Sequence, residues 1–121
     1  MNENNSELIT NLAQRFVEEM QVIEPLFEKA FFRFYAEERM LESCASYTTP
    51  SDVFIVSALT YDIFFDEMNE LALKLLVAMK DGPGLLLLTI DKELEFNVQF
   101  EYEDMSKWNI GLTDGGTGIP T

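Results

Sequence analysis

The stretch from residue 62 to residue 84 limits the possible folds of this chain more than any other. Its apolar side chains keep the i, i+3, i+4, i+7 spacing of an amphipathic helix through four turns. They are Phe64, Phe65, Met68, Leu71, Ala72, Leu75, Leu76 and Met79. Asp62 stands where an N-cap is expected, and Asp81-Gly82-Pro83-Gly84 ends the pattern abruptly. We therefore predict a helix that needs an apolar surface to cover.

A second amphipathic helix is predicted near the N-terminus, from an N-cap at Ser6 to about Gln21. Its apolar positions have the same spacing. They are Leu8, Ile9, Leu12, Ala13, Phe16, Val17 and Met20. Proline lacks the amide hydrogen that a helix interior requires, so we expect this helix to end before Pro25.

Five other segments have either the alternating pattern of a half-buried strand or a short apolar run between turns. They cover residues 28–36, 41–48, 52–58, 85–90 and 96–102. The first of them alternates two sets of side chains, with Ala30, Phe32, Phe34 and Ala36 on one face and Phe31, Arg33 and Tyr35 on the other. Short turns join neighbouring strands and favour antiparallel pairing.

The predicted order of elements is α-β-β-β-α-β-β. Both helices need an apolar surface, so we expect an α+β fold with a five-stranded antiparallel sheet, two amphipathic helices packed on one face and acidic and polar residues on the other. Residues 1–110 are predicted to form a single domain, since a chain of 121 residues suits one core. Residues 111–121 contain four glycines and are predicted to form a mobile C-terminal segment.

The net charge of −14, from 22 acidic and 8 basic residues, disfavours several classes of partner. Nucleic acid is bound through lysines and arginines that neutralise phosphates, and anionic membrane surfaces attract the same residues. The N-terminus has neither the basic region nor the apolar stretch of a signal peptide. A cytoplasmic location is predicted, and Cys44, as a lone thiol, fits a reducing compartment.

The chain contains no histidine, which excludes Ser-His-Asp and Cys-His catalysis and any metal site with histidine ligands. One cysteine can form neither an internal disulfide nor a multi-thiolate zinc site. Carboxylate pairs such as Glu101 with Glu103 are predicted on a solvated face. Acid–base chemistry needs apolar surroundings that raise the pKa of one carboxylate, and this face provides none. We therefore predict a protein that is not an enzyme and that binds no cofactor and no metal.

The acidic side chains favour a basic protein as partner. Six carboxylates fall within residues 91–104 against one lysine. A rigid sheet face that carries several carboxylates attracts a basic partner and speeds its encounter, although such a face can also serve solubility alone. The predicted partner-binding residues are Glu37, Glu38, Glu42, Glu95, Glu101, Glu103, Asp104 and Trp108. For Trp108 the alternative is a structural role, in which it holds the C-terminal segment on the sheet.

Three segments resemble the YezG-like family of small bacterial immunity proteins. They are Phe-Glu-Lys-Ala-Phe-Phe-Arg-Phe at 27–34, Phe-Asp-Glu-Met-Asn-Glu-Leu at 65–71, and the aromatic strand of 96–104 that closes on Tyr-Glu-Asp. With the N-terminal helix, the resemblance covers most of residues 6–108. The chain departs from the family pattern at Phe27, where tryptophan is frequent, and in the glycine-rich end after Trp108.

The resemblance implies a non-catalytic inhibitor, an antitoxin of a polymorphic toxin or contact-dependent growth inhibition system. It would bind a cognate toxin domain, expected to be a basic nuclease, and block its active site. Carboxylates of residues 91–104 and of Glu37, Glu38 and Glu42 would then meet lysines and arginines of the toxin in place of phosphates. Such a protein would be a monomer or weak homodimer and would bind neither nucleic acid nor membrane.

Three other functions stay open at this point. The first is an acidic mimic of nucleic acid that inhibits another DNA- or RNA-binding protein. The second is a small ligand-binding or enzymatic α+β domain, which would need a deep pocket with ionisable groups between the second helix and the sheet. The third is a subunit whose acidic face serves an obligate assembly.

Overall fold

The computed structural model describes residues 3–37, 39–80, 82–108, 110 and 118–120. Its elements, in chain order, are α1 Glu3–Ile23, β1 Lys29–Glu37, β2 Met40–Thr48, β3 Val53–Ile55, α2 Asp62–Met79, β4 Gly84–Asp91 and β5 Phe96–Glu101. The five strands form one sheet in the order β3-β2-β1-β4-β5, and every neighbouring pair is antiparallel. The predicted order of elements and the single α+β domain are thus confirmed.

The register of the sheet assigns each residue of β1 to one of its two faces. Phe32 lies opposite Ala45 of β2 and Leu88 of β4, so these three side chains share the face that the helices cover. All three are fully buried. The predicted alternation in β1 is therefore confirmed, since Ala30, Phe32, Phe34 and Ala36 belong to the core beneath the helices.

Aromatic rings join the two helices to the sheet. The ring of Phe16 in α1 lies 6.1 Å from that of Phe32 in β1 and 5.9 Å from that of Phe64 in α2, measured between centroids. Burial of each such ring contributes roughly 1.5–3 kcal/mol, more than a surface ion pair. Above them, Arg15 forms ion pairs of 2.9 Å with Glu19 of its own helix and Glu67 of α2. The helices are thus held mainly by apolar contacts.

The opposite face of the sheet is partly apolar, and the prediction of an acidic and polar face was wrong in this respect. Phe31 of β1 and Leu87 of β4 are buried there together with Ile110, and Trp108 packs against this cluster. The cause is the central position of β1, where Phe31 on this face also needs cover. Cys44 lies partly buried beside the cluster, and burial raises the pKa of its thiol.

Several predicted boundaries differ from the observed ones. Helix α1 begins at Glu3, so Ser6 lies within the helix and is not its N-cap. Tyr61 precedes α2 without a side-chain cap, and Asp62 is already helical, with its Oδ1 accepting a hydrogen bond from the amide of Ile63. Strand β3 is shorter than the predicted 52–58, because the chain turns where the amide of Tyr61 donates to the carbonyl of Ser57.

Of the predicted C-terminal segment 111–121, the structure describes only residues 118–120. The buried hydroxyl of Ser46 on β2 donates a hydrogen bond of 2.6 Å to the carbonyl oxygen of Gly118. Residues 111–117 and Thr121 lie outside the described residues, so the mobility predicted for this segment stays a prediction.

Gly84 makes a close contact that can be tested. A Cβ atom at this position would lie 2.9 Å from two ring carbons of Tyr102 and 3.2 Å from a methyl carbon of Leu76. Overpacking of this kind costs about 1–3 kcal/mol. We expect Gly84→Ala to lower the free energy of unfolding by that amount in urea denaturation. Adding Tyr102→Leu should recover part of the loss, and wild-type stability of the single variant would contradict the close contact.

Candidate protein-binding site

The register of the sheet brings most of the predicted site residues to one end of it. Glu42 of β2, Tyr35 of β1, Leu85 of β4 and Glu101 of β5 form one row across four strands, on the face opposite the helices. Because neighbouring strands lie about 4.8 Å apart, the backbones of Glu42 and Glu101 are separated by about 14 Å. We call this region the acidic end, and it consists of Glu37, Glu42, Glu101, Glu103 and Asp104.

Two of the predicted carboxylates do not belong to the acidic end. Glu95 follows the β4–β5 turn at the opposite end of the sheet, where Lys29 pairs with Asp91. Leu85 pairs with Glu101, and the amide of Asp91 donates to the carbonyl of Glu95, so the six-residue step from Leu85 to Asp91 along β4 places Glu95 about 20 Å from the Glu101 row. Glu38 is outside the described residues. The predicted partner-binding residues therefore do not form one surface, because Glu95 lies at the opposite end of the sheet from the acidic end.

Glu101 is held within the protein by three hydrogen bonds. Its Oε2 accepts from the amides of Glu103 and Asp104, at 3.0 and 3.1 Å, and its Oε1 accepts from Nζ of Lys107 at 3.0 Å. The amide of Asp104, the Lys107 ammonium and the amide of Glu103 all stabilise the charged carboxylate, which lowers its pKa to about 2. This side chain organises the turn after β5 and does not face solvent freely.

Asp104 also has a local role in this turn. Its Oδ1 accepts hydrogen bonds from the hydroxyl and the amide of Ser106, at 2.6 and 3.1 Å, and these bonds lower the pKa of the carboxyl. Aspartate favours turns because its carboxylate accepts a hydrogen bond from the backbone amide two residues on. The sequence Asp104-Met105-Ser106 could have revealed this turn in advance, whereas the bonds of Glu101 depend on the folded geometry.

Arg33 fixes the same turn to the sheet. From the centre of β1, its Nε donates to the carbonyl of Lys107 and its Nη2 to the carbonyl of Met105, both at 2.8 Å. The chain then reaches Trp108, which has a φ of +57° and packs against Phe31, Leu87 and Ile110. These contacts support the structural role for Trp108. The tryptophan is partly buried, so its predicted contact with a partner stays a prediction.

The remaining carboxylates of the acidic end are exposed. Within the part of the chain that the structure describes, those of Glu42 and Glu103 take part in no hydrogen bond or ion pair. Glu37 accepts one hydrogen bond of 2.7 Å from the hydroxyl of Tyr35, and that bond raises the pKa of the tyrosine. Glu37, Glu42 and Glu103 therefore carry negative charge at the surface, and none of their carboxylates holds the turn after β5.

Three shallow grooves lie near the opposite end of the sheet. Two of them, of about 240 and 300 Å³, adjoin Lys29 and Asp91. The third, of about 260 Å³, lies between α1 and the β4–β5 turn and is lined mostly by apolar atoms. None of these three is the deep pocket between α2 and the sheet that the ligand-binding alternative requires.

The described residues contain no group of three or more cysteine, aspartate and glutamate side chains that could hold a metal ion. In the same part of the chain, neither helix combines the length and the apolar composition that a bilayer crossing requires.

Comparison with known proteins assigns no family to this chain. No model of a protein family matches the sequence, and no curated protein matches it either. The resemblance to the YezG-like immunity proteins therefore stays a prediction based on the three segments described above.

The role of Glu101 predicts a pH dependence. Its folded pKa of about 2 lies below the ordinary value of 4.5, so its charge stabilises the fold above pH 4.5 and this contribution disappears as the pH falls through 2. The difference in unfolding free energy between wild type and Glu101→Gln should thus be constant above pH 4.5 and shrink below it. The amide proton shifts of Glu103 and Asp104 should titrate near pH 2 in the wild type.

The control is Glu103→Gln, which removes one carboxylate from the same turn but none of the acceptors of these hydrogen bonds. In this variant the amides of residues 103 and 104 should still titrate near pH 2. A titration of these amides that persists in Glu101→Gln would contradict the assignment.

Proposed function

We propose that this chain is an immunity protein, a non-catalytic inhibitor that binds and neutralises a cognate bacterial toxin domain. The observation that carries the proposal is the excess of exposed negative charge at the acidic end. Glu37, Glu42 and Glu103 are exposed there and outnumber Arg39, the exposed cation of the β1–β2 turn, whereas Arg33 and Lys107 are engaged in internal bonds. A rigid sheet end with negative charge of this kind favours a partner with a basic surface.

A nuclease domain is the toxin that best fits this surface. Nucleases hold the phosphate backbone with lysines and arginines, and carboxylates can form the same charge-assisted hydrogen bonds. An acidic protein can therefore occupy such a cleft in place of the substrate. The net charge of −14 and the YezG-like resemblance support the same proposal. The inhibitor would act in the cytoplasm of the toxin-producing cell.

The proposal is tested by co-expression with the protein encoded beside this chain. We expect a complex that survives purification and restores growth to cells in which the neighbouring protein alone is toxic. A toxic neighbour that neither binds this chain nor is neutralised by it would overturn the proposal. Binding to a host DNA-binding enzyme in its place would favour the alternative inhibitor of another nucleic-acid-binding protein.

The acidic end itself is tested by reversing two charges. Glu42→Lys with Glu103→Lys should slow association with the toxin at least tenfold at low ionic strength, because electrostatic steering acts mainly on the association rate. The fold should survive, since neither carboxylate accepts a hydrogen bond within the described residues. Stopped-flow association at several salt concentrations measures the effect.

The matched control reverses two exposed charges on the helices, Glu7→Lys with Asp66→Lys. This variant has the same net charge as the test variant but leaves the acidic end unchanged. We expect it to associate nearly as fast as the wild type. Equal slowing in both variants would show that net charge alone matters and that the acidic end is not the site.

A further inference from the structure

The turn between β4 and β5 holds a leucine in a conformation that leucine rarely adopts. Leu94 has a φ of +67°, in the left-handed region where glycine or asparagine is usual. The turn itself is well formed, since the amide of Leu94 donates to the carbonyl of Asp91 and the Asp91 carboxylate accepts from the amides of Glu93 and Glu95. Backbone strain of this kind is concentrated at functional sites, such as segments that contact a ligand.

The side chain of Leu94 has no full apolar environment within this chain. It is 44% exposed, and Phe96, two residues further, is 45% exposed. Both line the groove of about 260 Å³, whose other wall is formed by Ala13, Val17 and neighbouring residues of α1. Single exposed apolar residues are ordinary, but two large ones in one groove are typical of a contact site.

Carboxylates near this groove indicate the charge of its occupant. Glu18 lines the α1 wall, and Glu93 and Glu95 in the turn line the two neighbouring grooves beside Lys29. These three carboxylates outnumber the two lysines of those grooves, Lys29 and Lys92, so negative charge prevails. An apolar floor with an acidic rim is complementary to an apolar side chain that has lysines or arginines beside it.

We propose that the groove between α1 and the β4–β5 turn binds an amphipathic basic segment of the partner protein. An apolar side chain of that segment would pack between Leu94, Phe96 and Val17, while its cations contact Glu18, Glu93 and Glu95. The choice of partner rests on the proposed function. The groove adds a second contact, about 20 Å from the row of Glu101, that slows dissociation while the acidic end speeds association.

The groove is tested with defined peptides and the full, isotope-labelled chain. The probe is a 14-residue amphipathic helical peptide of leucine and lysine, and its control has glutamine in place of each leucine. We expect NMR shift changes at Val17, Leu94 and Phe96 with the leucine peptide and not with the control. Binding of both peptides alike, or shifts that omit the groove, would overturn the docking site.

Leu94→Asn tests the same site without damage to the fold. Asparagine tolerates the left-handed conformation, so the melting temperature should equal or exceed that of the wild type, while affinity for the leucine peptide should fall at least tenfold. Leu59→Asn is the matched control, because Leu59 is 94% exposed and lies outside the groove. Wild-type affinity in Leu94→Asn would overturn the proposal.

In the complex with the neighbouring toxin, Leu94→Asn should raise the dissociation rate and leave the association rate nearly unchanged. The charge-reversed variant of the acidic end should do the opposite. A toxin complex whose dissociation is insensitive to Leu94→Asn would overturn the docking site alone. A toxin that does not bind would overturn the proposed function, and the peptide titration would still decide whether the groove takes a basic amphipathic segment.

Discussion

The structure depends on the central position of β1 in the sheet. This strand pairs with β2 on one side and β4 on the other, and it carries apolar side chains on both faces. Phe32 is covered by the helices, and Phe31 requires cover from the other side. Arg33 directly follows Phe32 in sequence, and it binds the carbonyls of the turn that leads to that second cover. The side chains of this one strand thus determine what covers each face of the sheet.

This arrangement gives the acidic residues two different roles. Glu101 and Asp104 use their charge inside the molecule, where they bind the amides of the turn that crosses the second face. Glu42 and Glu103 lie within the same region and remain exposed. A high net negative charge destabilises a compact chain through repulsion. Hydrogen bonds from backbone amides offset part of this cost at Glu101 and Asp104, and they fix the turn that carries Glu103.

The sequence was sufficient to predict the elements that depend on local periodicity. The apolar stripe from Phe64 to Met79 showed which face of α2 is buried, and the alternation in β1 showed which face of that strand is buried. Helix α2 and strand β1 were therefore predicted, and the short turns between strands predicted the antiparallel pairing. The second apolar face was not predicted, because nothing local shows that β1 is a central strand. The site was predicted only in part for a similar reason. Whether Glu101 is exposed depends on its bonds to residues 103–107 in the folded chain, whereas its separation of about 20 Å from Glu95 follows from six residues of extended chain.

Leu94 shows a further limit of prediction from sequence. Its turn contains no glycine, and a leucine at that position gives no sign of a left-handed conformation. The start of α1 was also misplaced, since Ser6 suits an N-cap but the helix continues to Glu3. In both places the surrounding structure overrides the preference of a single residue.

The position of α2 in the chain determines at which stage of folding the acidic end forms. Glu42 belongs to the β1–β2 hairpin and Glu101 to the β4–β5 hairpin, and only the pairing of β1 with β4 places them in one row. That pairing closes a long loop through α2, which makes it an entropically costly step of folding. A partner that contacts both Glu42 and Glu103, the exposed carboxylate that follows β5, would hold the two hairpins together and stabilise the native chain by mass action. Recognition by the partner would then select completely folded molecules.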